Sequence, residues 1–239
     1  MSTTKPTPRS SSRGALIIFE GLDRSGKSTQ VNKLYERLKS EGRQVKKIGF
    51  PDRTTPTGIL INSYLTSSKD SKEQLNDQAI HLLFSVNRWE KADEIRRDLE
   101  SGITIICDRY AFSGIAFSHI KGLSWEWCQS PDIGLPSPDL VLFLSLSPET
   151  ARLRSGFGEE RYETQEIQDR VRQVFGKMGD ACEKGVWREI SAEGKVEEVE
   201  ERICAEVEGL WENERLRKEV GRLWVDSRLE EEDDDLNRK

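Results

Sequence analysis

Apolar positions along the chain switch repeatedly between a continuous pattern and a helical one. Ala15 to Glu20 is a short apolar run of strand-forming residues, and Val31, Leu34, Tyr35 and Leu38 then recur at helical spacing until Gly42 stops them. Val45 to Phe50 reads as a second strand, ended by Pro51. Thr57 to Leu65 is a short helix, Ser67 to Lys72 a polar loop, and Leu75 to Leu99 a long helix marked by Ile80, Leu83, Phe84, Val86, Ile95 and Leu99. After the break at Ser101-Gly102, Ile103 to Cys107 is apolar throughout, as a strand covered on both faces should be. Ala111 to Ile120 is predicted helical, and Trp125 opens another helical segment. Pro136 and Pro138 introduce a buried strand over Asp139 to Ser145, and Glu149 to Arg154 starts the next helix. Ile167, Val171, Val174, Phe175 and Met178 mark a further helix, Trp187 to Ile190 a last short strand, and Val199, Ile203, Val207 and Leu210 a closing helix. The stripe Leu216, Val220, Leu223 and Trp224 predicts that the tail continues helically, packed on the body or on a partner. The acidic block Glu230 to Asp235 reads as solvated chain.

Composition narrows this picture. A chain of 239 residues suits one large α/β domain and can bury a substantial core. Its formal charge of −6 provides no global basic field for nucleic acid. Cys107, Cys128, Cys182 and Cys204 lack paired zinc-ligand spacing and read as reduced, mostly buried thiols of an intracellular protein. With His81 and His119 as the only histidines, a histidine-based metal site is not expected. No apolar run reaches transmembrane length, so no membrane partner is expected. Residues 1–13 are rich in Ser, Thr and Pro, carry Lys5, Arg9 and Arg13 without an acid, and read as a disordered leader.

The candidate chemistry starts at Gly21-Leu22-Asp23-Arg24-Ser25-Gly26-Lys27-Ser28, which fits G-x-x-x-x-G-K-[ST] between a predicted strand and a predicted helix. Its glycines let backbone N–H groups turn inward around phosphates, and the helix N-terminus, with Thr29 beside Ser28, adds partial positive charge there. Lys27 is expected to reach the β- and γ-phosphates, and the Ser28 hydroxyl to bind Mg²⁺. Asp108 ends the third strand in the position of a Walker B carboxylate, holding Mg²⁺ directly or through water. Arg53 ends the second strand, at the sheet edge where ligands bind in open α/β folds, although alone it reads first as a solvated loop charge. Phe84 and Arg88 lie one turn apart on one helix face, where Phe84 alone reads first as core. Ser155 to Tyr162, two glycines among charges, reads as a mobile lid or as an ordinary surface loop.

Together these residues resemble thymidylate kinase over residues 15–210. The resemblance rests on the phosphate loop, Phe50-Pro51-Asp52-Arg53, Leu83 to Glu90, Asp108 to Gly114, Gly134 to Leu140 and the lid segment Phe157 to Glu163. It implies a doubly wound parallel five-stranded sheet with helices on both faces, a P-loop nucleotide-binding fold with a lid at 154–163, in one domain over residues 14–212. It further implies transfer of a phosphoryl group from ATP to dTMP with Mg²⁺, a homodimer, a cis peptide at Phe50-Pro51, and residence in the cytoplasm with the nucleus as a second compartment. Carried onto this chain, Arg53 and Arg109 hold the dTMP phosphate beside Phe50, and Phe84 stacks on thymine. Arg88 hydrogen-bonds the thymine carbonyl edge, and Ser113 and Gly114 line the base. Asp23 accepts from the sugar 3′-hydroxyl, Tyr162 approaches the sugar from the lid, and Phe117 stands against the ribose 2′ position where other members carry tyrosine. Arg154 lies against adenine. Arg24, which follows Asp23 in the loop while Gly156 to Glu160 has acids and no base, is expected to stabilise the transferring phosphoryl group.

Other classes remain to be set against this. A P-loop GTPase switch needs an Asn-Lys-x-Asp guanine motif, which the chain lacks. Lys27, Ser28, Asp108 and Arg109 are all present, which speaks against a degenerate nucleotide-binding scaffold. Another nucleoside or deoxynucleoside monophosphate kinase is the nearest alternative.

Overall fold

The computed structural model describes residues 12–66, 75–147, 149–150 and 165–225. Five strands, β1 (Leu16–Gly21), β2 (Val45–Gly49), β3 (Thr104–Asp108), β4 (Leu140–Ser145) and β5 (Trp187–Ser191), form one parallel sheet in the order β2-β3-β1-β4-β5. The apolar runs of β1, β3 and β4 occupy the middle three places and are buried on both faces. The two polar-flecked strands take the edges, where Lys46 and Lys47 of β2 face water.

Each face of the sheet is covered by helices whose periodic apolar stripes were visible in the sequence. Side chains alternate across β1: Leu16 and Ile18 join one core cluster, Ile17 and Phe19 the other. On the first face lie α3 (Asp77–Glu100), α4 (Ala111–His119), the short α5 (Trp125–Gln129) and α6 (Gln165–Ala181). On the second lie α1 (Lys27–Ser40) and α7 (Val196–Glu208), contributing Val31, Leu34 and Leu38 against Val199, Ile203 and Val207. The remaining helix, α2 (Pro56–Thr66), packs on α3 through Ile61, Leu65 and Ile80. All four cysteines are free, with only Cys182 partly exposed. Among the described residues, no helix is long and apolar enough to cross a membrane.

Two expectations about the chain ends are corrected. Beyond α7 the chain does not continue as a helix. A single 3₁₀ turn (Glu214–Arg217) gives way to an extended strap that pairs with the loop before β4. Gly134 N donates to Leu223 O at 2.9 Å, Leu223 N to Leu135 O at 2.7 Å, and Ser137 N to Gly221 O at 2.8 Å. Arg96 of α3 adds donors to the carbonyls of Val220 and Gly134. Leu216, Val220, Leu223 and Trp224 do pack on the body, but as the anchors of a strap. At Gly221 the strap runs close to that loop, where a Cβ would stand 3.2 Å from Ser137 Cβ. At the other end, Arg13 is clasped rather than part of a free leader. Its fork meets buried Asp139 at 2.8 and 2.7 Å and reaches the carbonyls of Arg215 and Lys218. The leader before residue 12, the lid at 154–163 with Arg154 and Tyr162, and the acidic block all lie outside the described residues.

Candidate active site

The carboxyl ends of β1, β2 and β3 converge, since Phe19 and Gly49 both pair in register with Asp108. This is the sheet edge at which open α/β folds bind ligands. A cleft of about 610 Å³ opens there, walled by the glycine loop, the β2 exit, and the facing sides of α3 and α4.

At one end of the cleft the backbone itself is shaped for phosphates. Gly21 and Gly26 take positive φ values of 147° and 89°, and Arg24 takes 64° between them. A Cβ on Gly21 would stand 2.7 Å from the Leu144 carbonyl of the neighbouring strand, so only glycine passes. Gly26 is also the N-cap of α1, which aims the helix N-terminus into the loop. Lys27 folds back over this loop and donates to the Leu22 carbonyl at 2.7 Å. Burial, and after it Arg109, bring the Lys27 ammonium down to about 8, against the pull of Asp23, Asp108 and Glu20. Ser28 Oγ donates to Asp108 Oδ2 at 2.7 Å. The two groups expected to serve a cation therefore meet, as hard oxygen donors of the kind Mg²⁺ takes. Among the described residues no cluster of three or more His, Cys, Asp or Glu could hold a metal.

Arg109 stands between the two ends. Its own φ is 67°, and its backbone N–H donates to Phe19 O, extending the β1–β3 ladder by one residue. Its guanidinium forks to Asp23, to Ser113 Oγ at 3.1 Å and to Gly21 O at 3.3 Å, and it lies over the Phe117 ring. Asp23 also receives Gln168 Nε2 at 2.9 Å, while Asp23 N donates to Gln168 Oε1 at 3.1 Å. Burial alone raises the Asp23 carboxyl, but Arg109, Lys27, Gln168 and Arg24 outweigh it and hold it below its ordinary value.

The other end is a lined slot. Phe84, half-buried, and Arg88, 2% exposed, come from α3; Ser113, Gly114 and Phe117 face them from α4. Arg88 Nε and Nη2 donate to the two oxygens of fully buried Asp132 at 3.0 and 2.6 Å. Gly114 has no room for a side chain, because a Cβ would sit 2.8 Å from Arg88 Nη2. At the cleft mouth Arg53 is exposed and donates to Asn62 Oδ1 at 2.9 Å. The Phe50-Pro51 bond that leads into this turn is cis.

Arg24, Gly26, Lys27, Ser28 and Thr29 from the loop, with Phe50, Arg53, Asp108 and the residues just named, thus line one cleft. Gly21 and Ser25 shape the loop from behind it, Ser25 being buried. Four residues that sequence reasoning passed over hold these groups in place. Glu20, fully buried, accepts from Tyr110 N at 2.9 Å and from Ser113 N and Oγ at 3.1 and 2.5 Å, capping α4. Burial raises the Glu20 carboxyl, against Arg109, Ser113 and Tyr110. Asn87 accepts from Asp52 N and donates to Asp52 O, fastening the turn that presents Arg53. Gln168 and Asp132 are the other two. Asn87 lies inside the Leu83 to Glu90 segment on which the resemblance rests, and Glu20 closes an apolar strand, but nothing local marks Gln168 or Asp132.

A family model described as thymidylate kinase matches residues 19–203. The chain is 50% identical over 191 residues to a thymidylate kinase of Arabidopsis thaliana, covering 80% of this chain and 70% of that protein. It is 45% identical over 192 residues to a human thymidylate kinase, covering 80% and 88% of the two chains. The solved structure of thymidylate kinase from Candida albicans aligns with a TM-score of 0.73 at 39% identity, over 88% of this chain and 98% of that one. With a family model spanning most of its length and relatives of this identity, the chain belongs to the thymidylate kinase family.

Proposed function

We infer that the protein transfers the γ-phosphoryl group of ATP to the 5′-phosphate of dTMP, giving ADP and dTDP. The observation that carries this is the single cleft: a phosphate loop at one end, a lined slot for a flat base at the other, and Arg109 between them. The nucleophile is a phosphate oxygen, mostly ionised at neutral pH, so the reaction needs no general base. It needs two anions brought together in line and the charge of a loose transition state stabilised.

Arg53 and Arg109 take the dTMP phosphate as a dianion, for which two guanidinium forks suit better than ammonium groups. Arg109 is held by Asp23 until that phosphate competes for it. Asp23 then accepts from the sugar 3′-hydroxyl, Phe50 packs beside the phosphate turn, and Phe117 closes the 2′ side of the sugar by packing. Phe84 stacks on thymine and Arg88 donates to its carbonyl edge over Ser113 and Gly114. Loop amides of Gly21 to Thr29 with Lys27 hold the ATP phosphates, and Arg24 answers the charge on the transferring group. Ser28 and Asp108 would hold Mg²⁺, which would supply charge neutralisation for the phosphates. We assign the adenine side to Arg154 and the lid-side sugar contact to Tyr162 by the same family resemblance.

A homodimer is supported by exposed apolar side chains on two helices that pack together. Ile59 and Leu60 of α2 are 61% and 55% exposed, and Leu82, Val86 and Trp89 of α3 are exposed as well. The function is tested by coupled measurement of ADP formation with dTMP, dUMP, dGMP, AMP and CMP as acceptors. Turnover is expected with dTMP and, less efficiently, with dUMP, since one methyl group is worth roughly 1–3 kcal/mol. Turnover with AMP or CMP in place of dTMP overturns the assignment.

A further inference from the structure

His81 lies on the same face of α3 as Phe84 and Arg88, yet it is buried and touches no part of the phosphate machinery. Its Nε2 is 2.9 Å from the Cys128 carbonyl and its Nδ1 is 2.8 Å from Ser118 Oγ. A carbonyl oxygen only accepts, so the proton belongs on Nε2. Burial first, and then Arg88, lower the imidazole's affinity for a second proton. Nδ1 is therefore an acceptor, and the single hydroxyl proton of Ser118 is committed to it. Ser118 sits one helical turn after Gly114 and lines the cleft beside Phe84, Arg88 and Phe117. With its proton held behind it, its hydroxyl can show the cleft lone pairs only.

Arg88 is fixed in the opposite sense. Two of its N–H groups are held by Asp132, and those that remain can only donate. The slot thus carries a locked donor from α3 and a locked acceptor from α4. The base edge of thymine is a carbonyl acceptor, O4, next to an N3–H donor. Cytosine inverts both: an amino donor at C4 and an acceptor at N3. We propose that Ser118, oriented by His81, is a specificity-determining residue that accepts from the N3–H of the acceptor base and opposes cytosine. This rests on the reading of dTMP as the acceptor in this slot.

The test is kcat/KM for dTMP and dCMP in the wild type, Ser118→Ala, Ser118→Thr and His81→Phe. Loss of one hydrogen bond whose alternative is an unpaired polar group should lower the dTMP:dCMP ratio about tenfold in Ser118→Ala. Ser118→Thr keeps the hydroxyl and should restore the ratio. His81→Phe frees the hydroxyl to turn and donate to cytosine N3, so its ratio should fall through a gain with dCMP. If His81→Phe does not fold, the two Ser118 variants still decide. An unchanged ratio in Ser118→Ala, with both nucleotides affected equally or not at all, overturns the inference and leaves Ser118 as packing. A wild type that does not use dTMP is a separate outcome, and it overturns the acceptor assignment itself.

Discussion

The two ends of the cleft hold their charges differently. At the phosphate end the charged and polar groups are paired with one another: Lys27 with its own loop carbonyl, Ser28 with Asp108, Arg109 with Asp23. The side chains of Arg109 and Asp23 are about one-fifth exposed, so water and ligand can compete for them. At the base end Arg88 and Asp132 are 2% and 0% exposed, and Asp132 is not part of the cleft wall. One end keeps its charges exchangeable, as the entry and exit of multiply charged phosphates there requires. The other holds its donor on a buried carboxylate, as the proposed reading of a neutral ring there would need. Exchangeable charge and buried charge are thereby separated along one groove.

The sharpest way to break this comparison is at the phosphate end. Arg24→Gly should lower kcat by about 10²–10⁴ with little change in KM for either nucleotide. Because Arg24 has a left-handed φ that glycine adopts without strain, the melting temperature should hold or rise. A raised KM at unchanged kcat would move the catalytic role elsewhere. The base end should answer in the reverse currency. Asp132→Ala leaves a buried guanidinium without its carboxylate, and removal of one partner from such a pair typically costs about 3–5 kcal/mol of stability. Denaturant unfolding reads this directly; a loss below about 1 kcal/mol would mean that Arg88 is as exchangeable as Arg109.

The smallest effect is a proton. With Lys27 brought down to about 8, the free protein at that pH has this ammonium about half deprotonated. ATP phosphates restore the charge, so ATP binding near pH 8 should take up about half a proton, measured by calorimetry in buffers of different ionisation heat. Lys27→Met should abolish the uptake. The unfolded chain binds this proton more tightly than the folded one, so the Lys27 contribution to stability improves as pH rises from about 8 towards the ordinary lysine range.

The strand–loop–helix at Leu16 to Ser40 was legible because local period, glycine spacing and burial all coincide there. Asp108 was legible for the same reason, as a charge that ends an apolar run. The supports were not. Asp132 follows Ser130-Pro131 and reads as an ordinary loop acid, 44 positions from the arginine that it neutralises. Gln168 stands in an amphipathic helix where nothing local marks it as the partner of Asp23. The strap misled for a physical reason: Leu216, Val220, Leu223 and Trp224 keep helical spacing, but Leu216 packs into one core cluster and the other three into the second, along a backbone that pairs with the 134–137 loop. Arg13 looked like leader because its partner, Asp139, is 126 positions away.

The strap also sets an order of events during synthesis. Asp132 lies at the start of a segment whose next residues, Gly134 to Ser137, are pinned by Gly221 and Leu223. A growing chain that has completed β1, the phosphate loop, α3, β3 and α4 already contains Arg88, but not the residues that hold its carboxylate in place. A chain that stops before residue 221 lacks the backbone partners of Gly134, Leu135 and Ser137, so the segment that carries Asp132 towards Arg88 is fastened only when the strap is made.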